Sequence, residues 1–148
     1  MVFESQMFRS VLTIFLAVFM SACVHNQTIS VTDEDEVWQL VWLSGWESPE
    51  DTEEGEIPYL GLADGRVQGY GGCNRIAGSY VLTGSQISFS RLIATRRACI
   101  TGMEREGVFL KALEEVSIWE RQGGLLRLYD ADKQLLLKME AVKNPSAR

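Results

Sequence analysis

The sequence lacks most of the residues from which catalytic and metal sites are built. It contains one histidine, His25, and three cysteines, Cys23, Cys73 and Cys99. A cysteine nucleophile needs a base, normally histidine, to supply its thiolate, and His25 lies far along the chain from Cys73. These residues also do not supply a zinc-ligand set. We therefore predict that the protein is not an enzyme and holds no metal or cofactor.

The sequence also lacks a membrane-spanning apolar run, which would need about 20 residues. Its longest run, Val11–Met20, follows Arg9 and precedes the small residues Ser21 and Ala22. A positive charge, a short apolar core and a small-residue exit are typical of a secretory signal peptide. We place this signal peptide at residues 1–22.

The signal ends in "MSAC", which resembles the bacterial lipoprotein signal. In that signal the cysteine is lipidated and becomes the first residue of the mature chain, so the resemblance predicts a lipid anchor on Cys23 and a membrane partner. The alternative is ordinary cleavage near Ala22, with a free thiol on Cys23. Val24 follows the cysteine, as in lipoproteins sorted to the outer membrane, so we expect a domain facing the periplasm.

Positive charge is absent from Cys23 to Gly65, although the whole chain carries only a modest net charge of −6. The same stretch holds eleven carboxylates. They are Asp33, Glu34, Asp35, Glu36, Glu47, Glu50, Asp51, Glu53, Glu54, Glu56 and Asp64. Phosphate binding needs clustered lysine and arginine, so nucleic acid is not an expected partner. Residues 23–35 are polar and without periodicity, and we interpret them as a flexible tether.

Short strands separated by turn signals make up most of the remaining chain. "YLGLA" and "RVQGY" flank Asp64-Gly65, a dipeptide that favours a tight hairpin because both central residues of a type I′ turn need φ > 0. "EVWQLVWL" is a strand on which Trp38 and Trp42 should share a core-facing side. Trp46, in the acidic loop that follows, is the candidate for an exposed aromatic residue.

One segment, "TGMEREGVFLKALEE", has helical periodicity and predicts a helix over Gly102–Glu114. Thr101 and Glu104 have the spacing of a capping box at its start. Together with seven or eight strands, this predicts a mainly β (α+β) fold, a small antiparallel barrel-like curved sheet with one inserted helix. We place the domain at residues 36–140 and a disordered tail at 141–148.

The stretch "GYGGCNRIAGSY", residues 69–80, is rich in glycine without being a phosphate-binding loop. It has no lysine, and β-like sequence follows it where a phosphate loop requires a helix. Turn geometry and close backbone approach are the better interpretation. With Cys23 lipidated, Cys73 and Cys99 remain, and an even number in an exported domain favours a disulfide. Two separate buried thiols are the alternative.

The order of these segments resembles the META domain family, which includes the HslJ heat-shock-type lipoproteins. The resemblance rests on the paired signatures G-C-N-x-x-x-G, at residues 72–78, and T-x-x-x-C, at residues 95–99. It covers about residues 37–139 and implies a small, mostly β, barrel-like domain with one helix. It also implies an envelope or secreted location and a link to stress response. No catalytic residue is established for the family pattern, so none is carried over.

Two functions from different classes remain open. The first is a non-enzymatic, lipid-anchored module that binds another envelope macromolecule, such as an envelope protein. Its candidate binding face consists of Asn74, Arg75, Thr95, Arg96 and Arg97. Asn74 and Thr95 could instead satisfy local backbone groups, as these residue types do in turns. The second is a small-molecule carrier that uses the barrel interior, although a barrel of this size tends to be filled by its own side chains.

Overall fold

The computed structural model of the chain describes residues 36–46 and 57–143. The predicted signal peptide, the predicted lipidation site at Cys23, the predicted tether and the part of the predicted tail after residue 143 lie outside these residues. Among the described residues, no helix has the length and apolar character needed to cross a membrane.

Within the described residues, eight antiparallel strands form a closed barrel in which each strand neighbours the next along the chain. The strands are β1 (Glu36–Leu43), β2 (Tyr59–Ala63), β3 (Arg66–Tyr70), β4 (Arg75–Thr83), β5 (Gln86–Ala94), β6 (Ile118–Gln122), β7 (Leu125–Tyr129) and β8 (Leu135–Lys143). A helix, α1 (Met103–Glu115), lies between β5 and β6. The predicted mainly β, barrel-like fold with one inserted helix is confirmed. Strand β8 continues past the predicted domain end at residue 140.

The hairpin between β2 and β3 forms where the sequence places it. Asp64 and Gly65 both have positive φ, 50° and 73°, and Ala63 pairs with Arg66 across the turn. Glycine adopts this backbone region at little cost, which explains the Asp-Gly pair at this position.

Successive strands run in opposite directions, so the connections at the two ends of the barrel differ. Tight turns join β2 to β3, β4 to β5 and β6 to β7 at one end, where β1 also starts and β8 finishes. We call this the hairpin end. The opposite end, the loop end, carries the longer connections that follow β1, β3, β5 and β7. Both the first and the last described residues, Glu36 and Lys143, therefore lie at the hairpin end.

A β-bulge in β1 separates the two tryptophans that were expected to share a face. Leu40 pairs with Met139 but Trp42 pairs with Lys138, so β1 has one extra residue at Val41. Such an insertion reverses the inward and outward alternation beyond it. Trp38 is buried at 1% exposure while Trp42 is 40% exposed. The prediction that both would face the core is wrong for Trp42.

The helix packs against one strand of the most weakly paired seam of the barrel. Strands β5 and β6 pair at a single position, Gln86 with Ile118, and two further backbone hydrogen bonds join them nearby. An uncovered strand edge is a site for unwanted pairing. Helix α1 packs against β5 and directs Phe109 and Leu113, both fully buried, into the core.

The helix begins for a different reason from the one the sequence indicates. Gly102 occupies the N-cap position with φ 85°, and no side-chain hydrogen bond caps the helix. The predicted capping box of Thr101 and Glu104 is therefore wrong. A Cβ atom on Gly102 would collide with the carbonyl oxygen of Gly72. Close contact between two backbones, rather than capping, fixes the start of α1, one residue later than expected.

Large apolar side chains fill the barrel interior. Those with less than 2% exposure include Trp38, Leu60, Val67, Ile87, Phe109, Leu113, Leu126, Leu128, Leu137 and Met139. Burial of each aliphatic or aromatic side chain stabilises the fold by about 1.5–3 kcal/mol. The core cluster is drawn from all eight strands and α1, so the domain is self-contained. A filled interior counts against the carrier hypothesis.

Candidate functional site

The signature loop Gly71–Asn74 connects β3 to β4 at the loop end and is buried along its whole length. A disulfide joins Cys73 to Cys99, with an S–S distance of 2.01 Å and a Cα–Cα distance of 5.9 Å. The predicted bridge is thus confirmed over the alternative of two separate thiols. It ties the Thr95–Gly102 connection, which follows β5, to the signature loop.

A buried carboxylate holds the signature loop from the helix side. Glu106, at 7% exposure, projects from the first turns of α1. Its Oε2 accepts the backbone N–H groups of Cys73 at 3.1 Å and Asn74 at 2.5 Å, and its Oε1 accepts Nδ2 of Asn74 at 2.7 Å. A buried charge is costly unless hydrogen bonds replace its water shell, and three donors do so in this site. Glu106 therefore connects the helix to the loop.

Asn74 links the signature loop to the segment that follows β5. Its Oδ1 accepts Thr95 Oγ1 at 3.0 Å and the backbone N–H of Arg97 at 2.7 Å. Thr95 Oγ1 in turn accepts the backbone N–H of Arg75 at 3.2 Å. Asn74 and Thr95 thus satisfy local groups, the second of the two roles considered for them. Asn74 is also buried, at 5% exposure, so it positions the site rather than forming its surface.

The three arginines of the candidate face lie on the outside of this hydrogen-bonded network. Arg75, Arg96 and Arg97 are all exposed. Within the described part of the chain, their guanidinium groups form neither an ion pair nor a hydrogen bond with another side chain. We call these three residues the arginine face. Their positive charge is available to a partner.

Apolar side chains lie in the same stretch of chain as the arginine face. Ile93 at the end of β5 is 67% exposed, and Met103 at the start of α1 is 55% exposed. Ile100, next to the disulfide, is fully exposed. Single exposed apolar residues are common on protein surfaces. Three within eleven consecutive residues, in the same stretch as two exposed arginines, give this part of the chain a surface that is both apolar and positively charged.

The glycines of the signature loop are required by contacts rather than by ligand binding. A Cβ on Gly71 would lie 2.7 Å from the Glu106 carboxylate, and Gly72 has φ 112°, a backbone region unfavourable to other residues. Strand β4 follows the loop directly, so the helix N-terminus that a phosphate loop needs is missing. The structural interpretation of the glycine-rich stretch is confirmed.

The cysteines and the buried carboxylate at the loop end are engaged in internal contacts. Cys73 and Cys99 are oxidised, and the Glu106 carboxylate is occupied by internal donors. No group of three metal-ligating side chains occurs within residues 36–46 and 57–143.

Trp46, like Trp42, lies elsewhere than the sequence predicts, and the central carboxylate of Glu106 was not predicted at all. Trp46 packs against the core instead of standing free, and its indole Nε1 is buried without a hydrogen-bond partner in the described residues. A signal for Glu106 was present: it shares a helical face with Phe109 and Leu113, at spacings of three and seven. A charged residue on an apolar face indicates a buried partner.

Residues 30–143 match the family model of the META domain, and this match begins within the predicted tether. The fold is similar to the NMR structure of a protein from Burkholderia xenovorans, with 25% identity and a TM-score of 0.58 over 74% of this chain and 83% of that one. It is also similar to a second protein solved by NMR (21% identity, TM-score 0.53, 72% and 89% covered). A DUF4847 family protein from Bacteroides vulgatus shares the fold at 16% identity and a TM-score of 0.51, over 73% of this chain and 93% of that one. No curated protein is significantly similar.

Proposed function

The chain belongs to the META domain family, and we propose that it is a lipid-anchored, non-enzymatic binding module of the bacterial cell envelope. The observation that carries this proposal is the arginine face. Arg75, Arg96 and Arg97 are exposed cations held on a backbone that the disulfide and Glu106 fix. A preorganised surface loses less entropy when a partner binds.

The position of the chain ends supports the same proposal. Glu36 lies at the hairpin end, whereas the arginine face lies at the loop end. A lipid on Cys23, followed by a tether over residues 23–35, would enter the domain at the end opposite the binding surface. With the protein anchored to the outer membrane in this way, the arginine face would be accessible to a partner in the periplasm.

The chemistry of the surface indicates the kind of partner. Guanidinium groups bind carboxylates and phosphates through paired hydrogen bonds. Arginine and methionine are enriched in protein interfaces, where exposed apolar groups become buried. We therefore propose a macromolecular envelope partner with acidic groups beside an apolar patch, acting in envelope maintenance under stress.

Crosslinking in intact envelopes tests the binding role. The chain is expressed with its own signal, crosslinked and purified, beside an anchor-only control in which residues 1–35 carry an unrelated domain. A partner should be enriched over that control, and the Arg96→Gln/Arg97→Gln variant should lose most of the enrichment. Lys111→Gln removes an exposed charge that lies 4.0 Å from Glu115 on the helix, and it should have no effect. Equal enrichment in all variants would contradict the proposal.

Metabolic labelling with a lipid precursor tests the anchor separately. The wild-type chain should incorporate the lipid and fractionate with outer membranes. The Cys23→Ala variant should do neither. A labelled Cys23→Ala chain, or an unlabelled wild type, would refute lipidation at this residue.

A further inference from the structure

A groove of about 1040 Å³ runs across the outer face of β1–β4, beside the arginine face. The strand register places Gly61, Gln68 and Ala77 in one row across this face. The groove floor is free of large side chains, because Gly61, Ala63 and Ala77 line it. At about 3.3 Å per residue, the five residues of β2 give it a length of roughly 16 Å.

The rim of the groove carries hydrogen-bonding groups of both charges. Arg66 and Arg75 face the groove together with Asp64 and Glu36. Glu36 also pairs with Arg121 at 3.4 Å, so the formal charges of these five residues sum to only +1. Within the described residues, the side chains of Arg66, Asp64 and Gln68 make no ion pair or hydrogen bond. Unpaired donors and acceptors around a groove fix the orientation of a bound ligand. The charge balance disfavours a polyanion and favours a ligand without net charge.

An aromatic side chain completes the lining. Tyr59 borders the groove and stacks on Tyr70, with ring centroids 6.3 Å apart and an interplanar angle of 24°. The stacking partner limits the motion of the Tyr59 ring. A tyrosine combines a flat apolar surface with a polar hydroxyl tip. A sugar ring fits such a surface, since it has apolar C–H faces and a periphery of hydroxyl groups.

From this combination we propose that the groove binds an uncharged oligosaccharide. The sugar rings lie along the glycine and alanine floor, with one ring against Tyr59. Gln68, Arg66 and Asp64 donate to and accept from the sugar hydroxyls. The site is separate from the arginine face except for Arg75, and it goes beyond the proposed macromolecular partner.

Titration with soluble N-acetylglucosamine oligosaccharides tests this site. The probe is added to the ¹⁵N-labelled chain from Val24 to Arg148, which keeps the whole self-contained domain. Saturable chemical-shift changes are expected at the outward positions of β1–β4. Gln68→Ala should weaken affinity by about tenfold, the effect of losing one good hydrogen bond. Ala77→Leu, which fills the floor, should abolish the response.

Two controls separate the outcomes. Ser90→Leu places the same side chain at an exposed position on β5 outside the groove, and it should leave binding unchanged. A glycine–serine peptide of similar length should give no response. The proposal is overturned by an absence of saturable shifts, by equal loss in Ser90→Leu and Ala77→Leu, or by binding of the peptide in place of the sugar. None of these results affects the crosslinking test, which depends on Arg96 and Arg97.

Discussion

Replacement of Glu106 by alanine tests how the loop end is held together. This carboxylate accepts three hydrogen bonds, two from the backbone N–H groups of Cys73 and Asn74 and one from the Asn74 side chain. The loop that supplies these donors also carries the disulfide to Cys99. Alanine removes every acceptor and leaves buried donors without partners.

The expected loss of stability follows from these contacts. A hydrogen bond to a charged group contributes about 1.5–3 kcal/mol, and an unsatisfied buried donor costs about 1–3 kcal/mol. The three bonds are coupled and water can enter part of the space, so their energies do not add. We expect Glu106→Ala to lower the free energy of unfolding by about 3 kcal/mol, a large share of the roughly 5–15 kcal/mol of a typical domain. The melting temperature should fall by about 12 °C or more.

Urea denaturation measures this loss as a lower midpoint with an unchanged slope. Hydrogen exchange adds a local readout, since the Cys73 and Asn74 amides should lose their protection. Glu106→Gln keeps one acceptor oxygen and should lie between alanine and the wild type. Glu104→Ala removes an exposed carboxylate from the same helical turn and should cost under about 1 kcal/mol. If Glu106→Ala costs no more than this control and the amides stay protected, the assigned role of Glu106 is wrong.

Three further predictions concern other contacts. Replacing Cys73 and Cys99 with alanine should lower the free energy of unfolding by about 2–4 kcal/mol because the bridge closes a loop with a sequence separation of 26 residues; reductant should destabilise the wild type equally and leave the variant unaffected. Gly71→Ala should cost about 1–3 kcal/mol in the same denaturation assay, since its Cβ would press on the Glu106 carboxylate. Partial burial and a hydrogen bond to Glu120 raise the pKa of Tyr129, so the unfolded chain loses this proton first and stability should fall as pH rises above about 10. Absorbance titration should show a lower Tyr129 pKa in Glu120→Gln, and an unchanged titration would show that Glu120 does not raise this pKa.

The parts of the fold that depend on neighbouring residues could be predicted from the sequence. The hairpin at Asp64-Gly65 follows from backbone preferences that act within four residues. The alternation of Ile87 and Phe89 with serines identifies a strand with one buried side, and both residues are buried. The count of cysteines favoured the disulfide, although only the structure shows that the bridge ties the connection after β5 to the signature loop.

The parts that depend on distant contacts could not be predicted in this way. The bulge at Val41 is set by pairing with β8, which lies almost a hundred residues further along the chain, and it moved Trp42 to the surface. The position of Gly102 is set by the backbone of Gly72. A sequence pattern covers only a few neighbouring residues, so it carries no information about contacts with residues far away along the chain.

The residues of the two sequence signatures, 72–78 and 95–99, fall into two groups. One group forms bonds inside the domain, and the other is exposed. The two cysteines, Asn74 and Thr95 all bond inside the domain, so they determine where the intervening residues are held. Arg96 and Arg97 lie between the threonine and the second cysteine, and they point to solvent without a side-chain partner in the described residues. Substitutions at exposed positions of this kind usually change stability by less than about 0.5 kcal/mol. These internal bonds therefore account for the stability of this region, and substitutions of the two arginines should leave the fold intact.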